Sequence, residues 1–441
     1  MTARPDLHRT ASTAPDTTAG TAPGVSAGYV PGARPLVLKF GGSAFADLDG
    51  YRRVARYAAR RRAEAQRPLV VVVSAMSGTT GRLQQTLDAL AADPPARAAA
   101  MLLTAGETVS VALLAAALDA EGVPGCPLPA AATGLLARGP GDRAELISAS
   151  PGALAGALAD CPVAVVPGGQ AVDAAGRTVM LGRNSSDLSA VATAASLGAD
   201  TCELFSDVPG VCTADPHLVP EARTLARISY EGVRRMSRHG AKVVHEGAVD
   251  WAERAGVRVL CRPFPWSGGP EGGTAVGTGP AAAAVVVHKD SDVWCFPSGR
   301  ERRSAGGRLV AEGLTVTEFD TASEVCLAVP AGARGTARHL GTARLLGGLC
   351  LVTTLRADGR AEHTLVPRAE AAAEARRRHG LLYPAAPDTP APAVHPPAKP
   401  RSPHSDVLVG AASAPPPLPD PVPLSVPLSV PLSVPEDDCP D

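Results

Sequence analysis

Between Arg34 and Pro367 the apolar positions fall into two alternating kinds of run. Residues 36–40, 69–74, 163–166, 202–205 and 257–261 are short and rich in β-branched side chains, and they read as strands. Residues 51–66, 96–120, 186–197 and 231–255 mix Ala and Leu with Arg and Glu and are long enough for helices. Strand, helix-length spacer and strand in succession predict βαβ units, hence an α/β fold with a mostly parallel central sheet covered on both faces. In such sheets ligands sit beyond the carboxyl ends of the strands. From 282 to 366 the order changes to strand 284–288, helix 300–312, strands 314–319 and 325–329, helix 336–346 and strand 350–355. That order predicts a ferredoxin-like βαββαβ domain.

Both ends of the chain lack this periodicity. Residues 1–33 are rich in Thr, Ala, Pro and Gly and read as a disordered leader. From about Pro384 the chain is dominated by Pro, Ala and Ser, and 422–433 repeats Val-Pro-Leu-Ser. Proline at every fourth position removes donors and blocks helix, so an extended tail is expected. The domain division expected is therefore 1–33 leader, 34–280 first domain, 281–367 second domain and 368–441 Pro-rich tail. Charge is nearly balanced, 42 Lys+Arg against 43 Asp+Glu in 441 residues. A sequence-blind electrostatic grip on nucleic acid or an anionic membrane is therefore not expected. The 9 cysteines form no CxxC pair, so neither a zinc ribbon nor a disulfide scaffold is indicated. No apolar run reaches the roughly 18–20 residues of a membrane span. With no signal-peptide core near the start, a cytoplasmic protein is the expectation.

The polar residues at strand ends suit an anionic ligand. The first strand closes as Lys39-Phe40-Gly41-Gly42-Ser43, where paired glycines let a backbone approach an anion and Lys39 adds a full charge. The Walker A spacing is absent. The second strand closes on Ser74, with Thr80 in the next turn, offering small hydroxyls that would equally well cap the following helix. Gly182-Arg183-Asn184-Ser185-Ser186-Asp187 opens a helix; Arg183 can grip a carboxylate bidentately, and Asp187 either complements the helix dipole or holds cations in place. Ser206, Asp207, Cys212 and His217 lie on a turn-rich loop after another strand. Lys242 stands where a helix is expected to start, a position that disfavours a cation unless an anion is near.

Taken in order, Lys39–Ser43, Val73-Ser74-Ala75, Ala105-Gly106-Glu107, the stretch from Gly176 to Asp187, Ser206–Val211 and Gly240–His245 resemble the amino acid kinase family, most closely its aspartate kinases. The resemblance covers about 36–276 and implies an αβα sandwich that transfers phosphate from ATP, with Mg²⁺, to the side-chain carboxylate of L-aspartate. By that resemblance Lys39, Asp187 and Lys242 carry the chemistry. Lys39 and the Gly41 and Gly42 amides meet the transferred phosphoryl group, Lys242 meets the nucleotide phosphates, and Asp187 orients the lysines. Ser43, Ser206, Asp207, Cys212 and His217 complete the nucleotide side. Glu107 receives the substrate ammonium and Arg183 its carboxylate, with Ser74, Thr80 and Ser186 alongside. No residue is assigned directly to metal.

The chain also departs from the family pattern. Asn184 and Ser185 replace glycines, which puts a tight backbone approach in question. Gly169 replaces an aromatic residue, which should widen the acceptor pocket. Residues 308–316 and 321–325 resemble the first ACT regulatory module of aspartate kinases, with room for one such module before the tail. This implies a homodimer through the module and effector contacts at Glu318, Ser323 and Glu324. Two rival readings follow from the same residues: a kinase-fold enzyme with another amino acid or carboxylate acceptor, or a weakly active regulatory or scaffolding subunit that works through its tail.

Overall fold

The computed structural model describes residues 24–25, 34–265, 272–311, 313–331 and 336–384. The leader expected at 1–33, apart from the two-residue strand Gly24–Val25, and the tail beyond 384 lie outside these residues.

Strands β1 (Leu36–Phe40), β2 (Leu69–Val73), β3 (Val163–Pro167), β4 (Thr201–Ser206) and β5 (Arg258–Pro263) run parallel in the middle of an eight-stranded sheet. Their order is β5-β4-β1-β2-β3, with Arg227–Ser229 and Thr274–Gly277 beyond β5 and Gly125–Pro127 beyond β3. The chain thus builds outward from β1 in one direction, then returns to β1's other side. This is a topological switch, and it opens a crevice beyond the ends of β1 and β4. Each of the five residues of β2 is buried, as expected for a strand covered on both faces.

Helices cover both faces. α1 (Leu48–Ala65) and α2 (Ala105–Ala120) pack Tyr51, Val54, Tyr57, Val111, Leu114 and Leu118 against Leu38, Phe40, Val71 and Val165 on one side. α3 (Ser186–Ser196), with α4 (Tyr230–Arg238) and α5 (Glu246–Ala255), closes the other. Although aromatics are only 3% of the chain, Phe40 and Phe205 stack at 4.8 Å between β1 and β4, with Tyr57 and Phe264 edge-on to both. That cluster pins the two strand ends flanking the crevice.

The helix-length stretch 231–255 proves to be two helices, and Lys242 lies on the loop between them. The stretch Ala96–Ala120 also departs from expectation: by length and composition it is apolar enough to cross a membrane. It breaks at Thr104 into the helix Ala96–Leu103 and α2, and the second packs on the sheet. Abundant Ala and Leu outweigh Arg97, Glu107, Thr108 and Ser110 on average.

The second domain is assembled differently from its expected order. β6 (Ala284–Val287) is not its first strand. The βαββαβ unit is β7 (Ser291–Phe296), α6 (Gly299–Ala311), β8 (Thr317–Asp320), β9 (Val325–Pro330), α7 (Thr336–Leu340) and β10 (Arg344–Leu345), with sheet order β8-β9-β7-β10. β10 lies inside the expected helix 336–346. β6 instead pairs with β11 (Leu349–Leu355), which pairs with β12 (Ala361–Pro367) in a separate three-stranded sheet. α8 (Ala371–Leu382) packs on that sheet, burying Ala371 and Ala375 against Val285, Cys350 and Val352. The ferredoxin-like unit is therefore inserted into a second small sheet, so the expectation of a single module with a tail starting at 368 is corrected. Ala, Glu and Arg through 371–378 favour helix up to Pro384.

Candidate active site

The crevice at the switch point is a cavity of about 570 Å³. Of the residues singled out from sequence, Lys39, Gly41, Gly42, Ser43, Ser74, Thr80, Glu107, Arg183, Ser186, Asp187, Ser206, Asp207 and Lys242 all line it.

At its centre Lys39 Nζ lies 2.7 Å from Asp187 Oδ1, with both side chains largely buried. Lys39 is supplied by the end of β1 and Asp187 by the first turn of α3, where the helix dipole also favours an acid. Gly42 lets the loop after β2 come close, since a Cβ there would sit 3.1 Å from the Ala75 carbonyl oxygen. Gly41 departs from its expected role: its N–H donates to the Phe205 carbonyl at 3.1 Å. That amide ties β1 to β4 and is committed before any ligand arrives.

On one side of Lys39, Ser74 Oγ donates to Ser186 Oγ at 3.1 Å. Glu107 accepts the Ala75 N–H at 3.2 Å. Burial pushes the Glu107 carboxyl up to about 7, only partly offset by hydrogen bonds from backbone and Gln170. Arg183 is exposed at the cavity wall and forms no ion pair among the described residues. On the other side, Ser206 Oγ accepts the Val208 N–H and its carbonyl accepts the Phe264 N–H, which fixes the loop carrying Asp207.

The departures from the family pattern are absorbed locally. Asn184 takes the left-handed conformation at φ 60, which Asn tolerates, while Ser185 adopts φ −89 and needs no glycine. Ser185 Oγ donates to the Gly182 carbonyl at 2.7 Å. A Cβ at Gly169 would lie 3.1 Å from that same Ser185 Oγ. The space expected to open at Gly169 is therefore partly filled by Ser185.

Other expected contacts are not brought to the cavity. Cys212 is buried in a turn bridged to Thr224, its thiol pushed up by burial. His217 stands exposed outside the lining, 3.9 Å from Asp207. In the second domain, Glu318 lies beside α6 with Arg302 3.3 Å away. Glu324 sits 3.5 Å from Cys295 Sγ, on the opposite face of the sheet, and pairs with Arg344. Ser323 is in the turn between the two strands. These residues do not share one effector pocket, because β8 and β9 send them to opposite faces.

The lining residues that the sequence did not assign to the site include Gln170 and His245. Gln170 is buried and donates to the Thr104 carbonyl at 2.8 Å. His245 caps α5 by accepting the Gly247 N–H, and burial holds its imidazole below the usual range. The Gly240–His245 motif contained the second of these but drew attention only to its lysine.

The profile of the amino acid kinase family matches residues 34–262, the whole of this architecture up to β5. The chain belongs to the amino acid kinase family. Among curated members, it is 40% identical over 228 residues to the aspartokinase of Mycolicibacterium smegmatis, covering 52% of this chain and 54% of that protein. It is 40% identical over 222 residues to the aspartokinase of Thermus thermophilus, covering 50% and 55% respectively. The chain thus spans about half the length of the curated relatives it matches. Among solved structures it superposes on Escherichia coli aspartokinase III in complex with aspartate and ADP, with a TM-score of 0.60 and 20% identity. That match covers 79% of this chain and 100% of the other. The same enzyme with lysine and aspartate gives a TM-score of 0.56 at 21% identity, over 80% of this chain and 100% of the other. At these identities the structural likeness establishes the fold: a mostly parallel α/β kinase domain followed by small ACT-like sheets.

Proposed function

We propose that this amino acid kinase transfers the γ-phosphoryl group of ATP to the side-chain carboxylate of L-aspartate, giving 4-phospho-L-aspartate. The observation that carries this reading is the buried Lys39–Asp187 pair in one cavity that Glu107, Arg183, Ser206, Asp207 and Lys242 also line. An acceptor carboxylate and a triphosphate repel each other and can meet only where fixed cations offset that repulsion. Lys39 is the cation at the meeting point. Asp187 holds its ammonium in place, Glu107 and Arg183 suit the ammonium and α-carboxylate of an amino acid, and Lys242 suits the phosphates. The solved complex of the E. coli enzyme with aspartate and ADP supports the same pair of ligands.

ATP brings Mg²⁺ into the proposal. The cavity holds no cluster of three metal-ligating groups among the described residues. The ion would therefore arrive largely on the nucleotide's phosphates, with Asp207 as the exposed carboxylate at hand. The ion would neutralise phosphate charge there. Pairing of two copies through the ferredoxin-like unit, a cytoplasmic location and a role in amino-acid biosynthesis belong to the same reading.

The test is trapping of acyl phosphate with hydroxylamine across a panel of amino acids. Hydroxamate formed from aspartate is the expected result. Hydroxamate from another amino acid instead would move the acceptor assignment, and none from any would overturn the kinase reading.

A further inference from the structure

Lys242 is the one proposed nucleotide ligand whose ammonium is engaged by the second domain. Its Nζ lies 2.6 Å from Asp290 Oδ2, on the turn that joins β6 to β7. The neighbouring residue makes the reciprocal contact: Lys289 Nζ lies 2.8 Å from Asp215 Oδ2, on the loop that follows Ser206 and Asp207. One dipeptide thus offers an acid to the kinase domain's lysine and a lysine to its acid. Arg368 fixes the turn from behind, donating to the carbonyls of Lys289 at 2.5 Å and Ser291 at 2.9 Å.

We propose that Asp290 is a positioning residue that holds Lys242 at the cavity wall in the empty enzyme and gives it up to the nucleotide's phosphates. This rests on the reading of Lys242 as a phosphate ligand. A carboxylate and a phosphate oxygen ask for the same ammonium, and Lys242 has one to give. The side chains of Lys242 and Asp290 are 64% and 57% exposed, so the pair is solvated and easily exchanged. The multiply charged phosphates of ATP, held also by Lys39, outbid a single carboxylate. The exchange leaves Asp290 unpaired beside the phosphates, where like charge pushes the turn away.

The placement gives that push a direction. The turn at 288–290 joins the three-stranded sheet, through β6, to the ferredoxin-like unit, through β7. Nucleotide binding and the seating of that unit are therefore coupled, and the coupling is reciprocal: whatever draws the turn off Lys242 must tighten ATP binding by the same factor.

The test uses the full chain and a non-hydrolysable ATP analogue, with Kd measured by calorimetry in the absence of acceptor. Asp290→Asn is expected to tighten binding about two- to fivefold, the scale of an exposed ion pair. The ATP KM should fall with it while kcat holds, and the gain should shrink at high salt. Asp290→Glu should restore the wild-type value. In the wild type, amide exchange across 284–296 should quicken when the analogue is added, a response that a merely structural turn would not show. Unchanged Kd in Asp290→Asn, or unchanged exchange in the wild type, would overturn the proposal. Failure of the wild type to bind the analogue at all would overturn the nucleotide reading beneath it. Tightened binding in Asp290→Asn, with hydroxamate formed from another amino acid but not from aspartate, would support the exchange and sink only the acceptor assignment.

Discussion

Lys39 and Asp187 stand 148 residues apart in sequence, yet their charged atoms lie 2.7 Å apart with side chains only 14% and 15% exposed. An ammonium so held has little freedom to swing toward solvent, and the carboxylate that holds it is itself fixed on the first turn of α3. The pair is arranged to place one positive charge at one point, which suits a reaction whose difficulty is electrostatic.

Lys39→Ala should lower kcat by at least 10²- to 10³-fold, the usual cost of one preorganised charge-stabilising group. Far-UV circular dichroism should be unchanged. Asp187→Asn should cost less, because the lysine remains but loses its anchor. The hydroxamate assay measures both, and near-wild-type turnover in Lys39→Ala would remove that residue from the mechanism.

Glu107 should make acceptor binding pH-dependent near neutrality. Burial raises its carboxyl from 4.5 to about 7, so below pH 7 it is increasingly neutral and loses its pull on an ammonium. The aspartate KM should rise as pH falls from 8 to 6, while the Kd for nucleotide stays flat. Glu107→Gln should bind aspartate weakly at every pH in that range. The raised value also has a stability sign. The folded state favours the protonated acid, so stability falls as pH rises from about 4.5 to 7, and Glu107→Gln should melt higher than wild type at pH 8.

Lys39, Asp187 and Arg183 were legible because a strand end and a helix start are local features, and the glycines beside them mark the turns. Asp290 was not. It is a surface acid on a short turn, and only the tertiary fold carries it 48 positions back to Lys242. β7 went unread because it begins only a few residues after β6, so the two strands look like one strand and its exit. The misplaced effector residues show the opposite limit. Glu318 and Glu324 are close in sequence, but a tight turn between paired strands puts them on different faces. Asn184 and Ser185 both replace glycines in the motif, yet only Asn184 takes a positive φ, which the sequence alone does not distinguish.

The ferredoxin-like unit should be stapled under oxidising conditions. Cys295 and Cys326 are directly opposed on β7 and β9 and joined by a disulfide across 31 residues of chain. Closing a loop of that size contributes about 2–4 kcal/mol where the fold accommodates the link. A Cys295→Ala/Cys326→Ala double variant should therefore melt several degrees below the oxidised wild type, and dithiothreitol should bring the wild type down toward the variant. Identical melting with and without reductant would show that the link contributes nothing.

The join between the kinase domain and the small sheets should fail in acid. His239 at the end of α4, His288 after β6 and His363 on β12 gather there, with the His239 and His363 rings 5.5 Å apart. His288 Nε2 and His363 Nδ1 share the Thr353 hydroxyl, at 2.9 and 3.0 Å. Burial and mutual repulsion, with Arg235 adding to the latter, hold His239 near 4 and His288 near 3; burial also lowers His363, opposed by Asp320. His239 and His288 are therefore neutral when folded at pH 6.5, and burial biases His363 toward its neutral form, whereas an unfolded histidine titrates around that value. The unfolded chain then binds more protons than the folded one at pH between about 4 and 6.5, so stability must rise with pH across that window and drain away as pH falls through it. The melting temperature should drop steadily from pH 6.5 to 4. His288→Gln keeps a partner for Thr353 but cannot titrate, so it should flatten that slope. A slope equal to the wild type's would place the acid sensitivity elsewhere in the molecule.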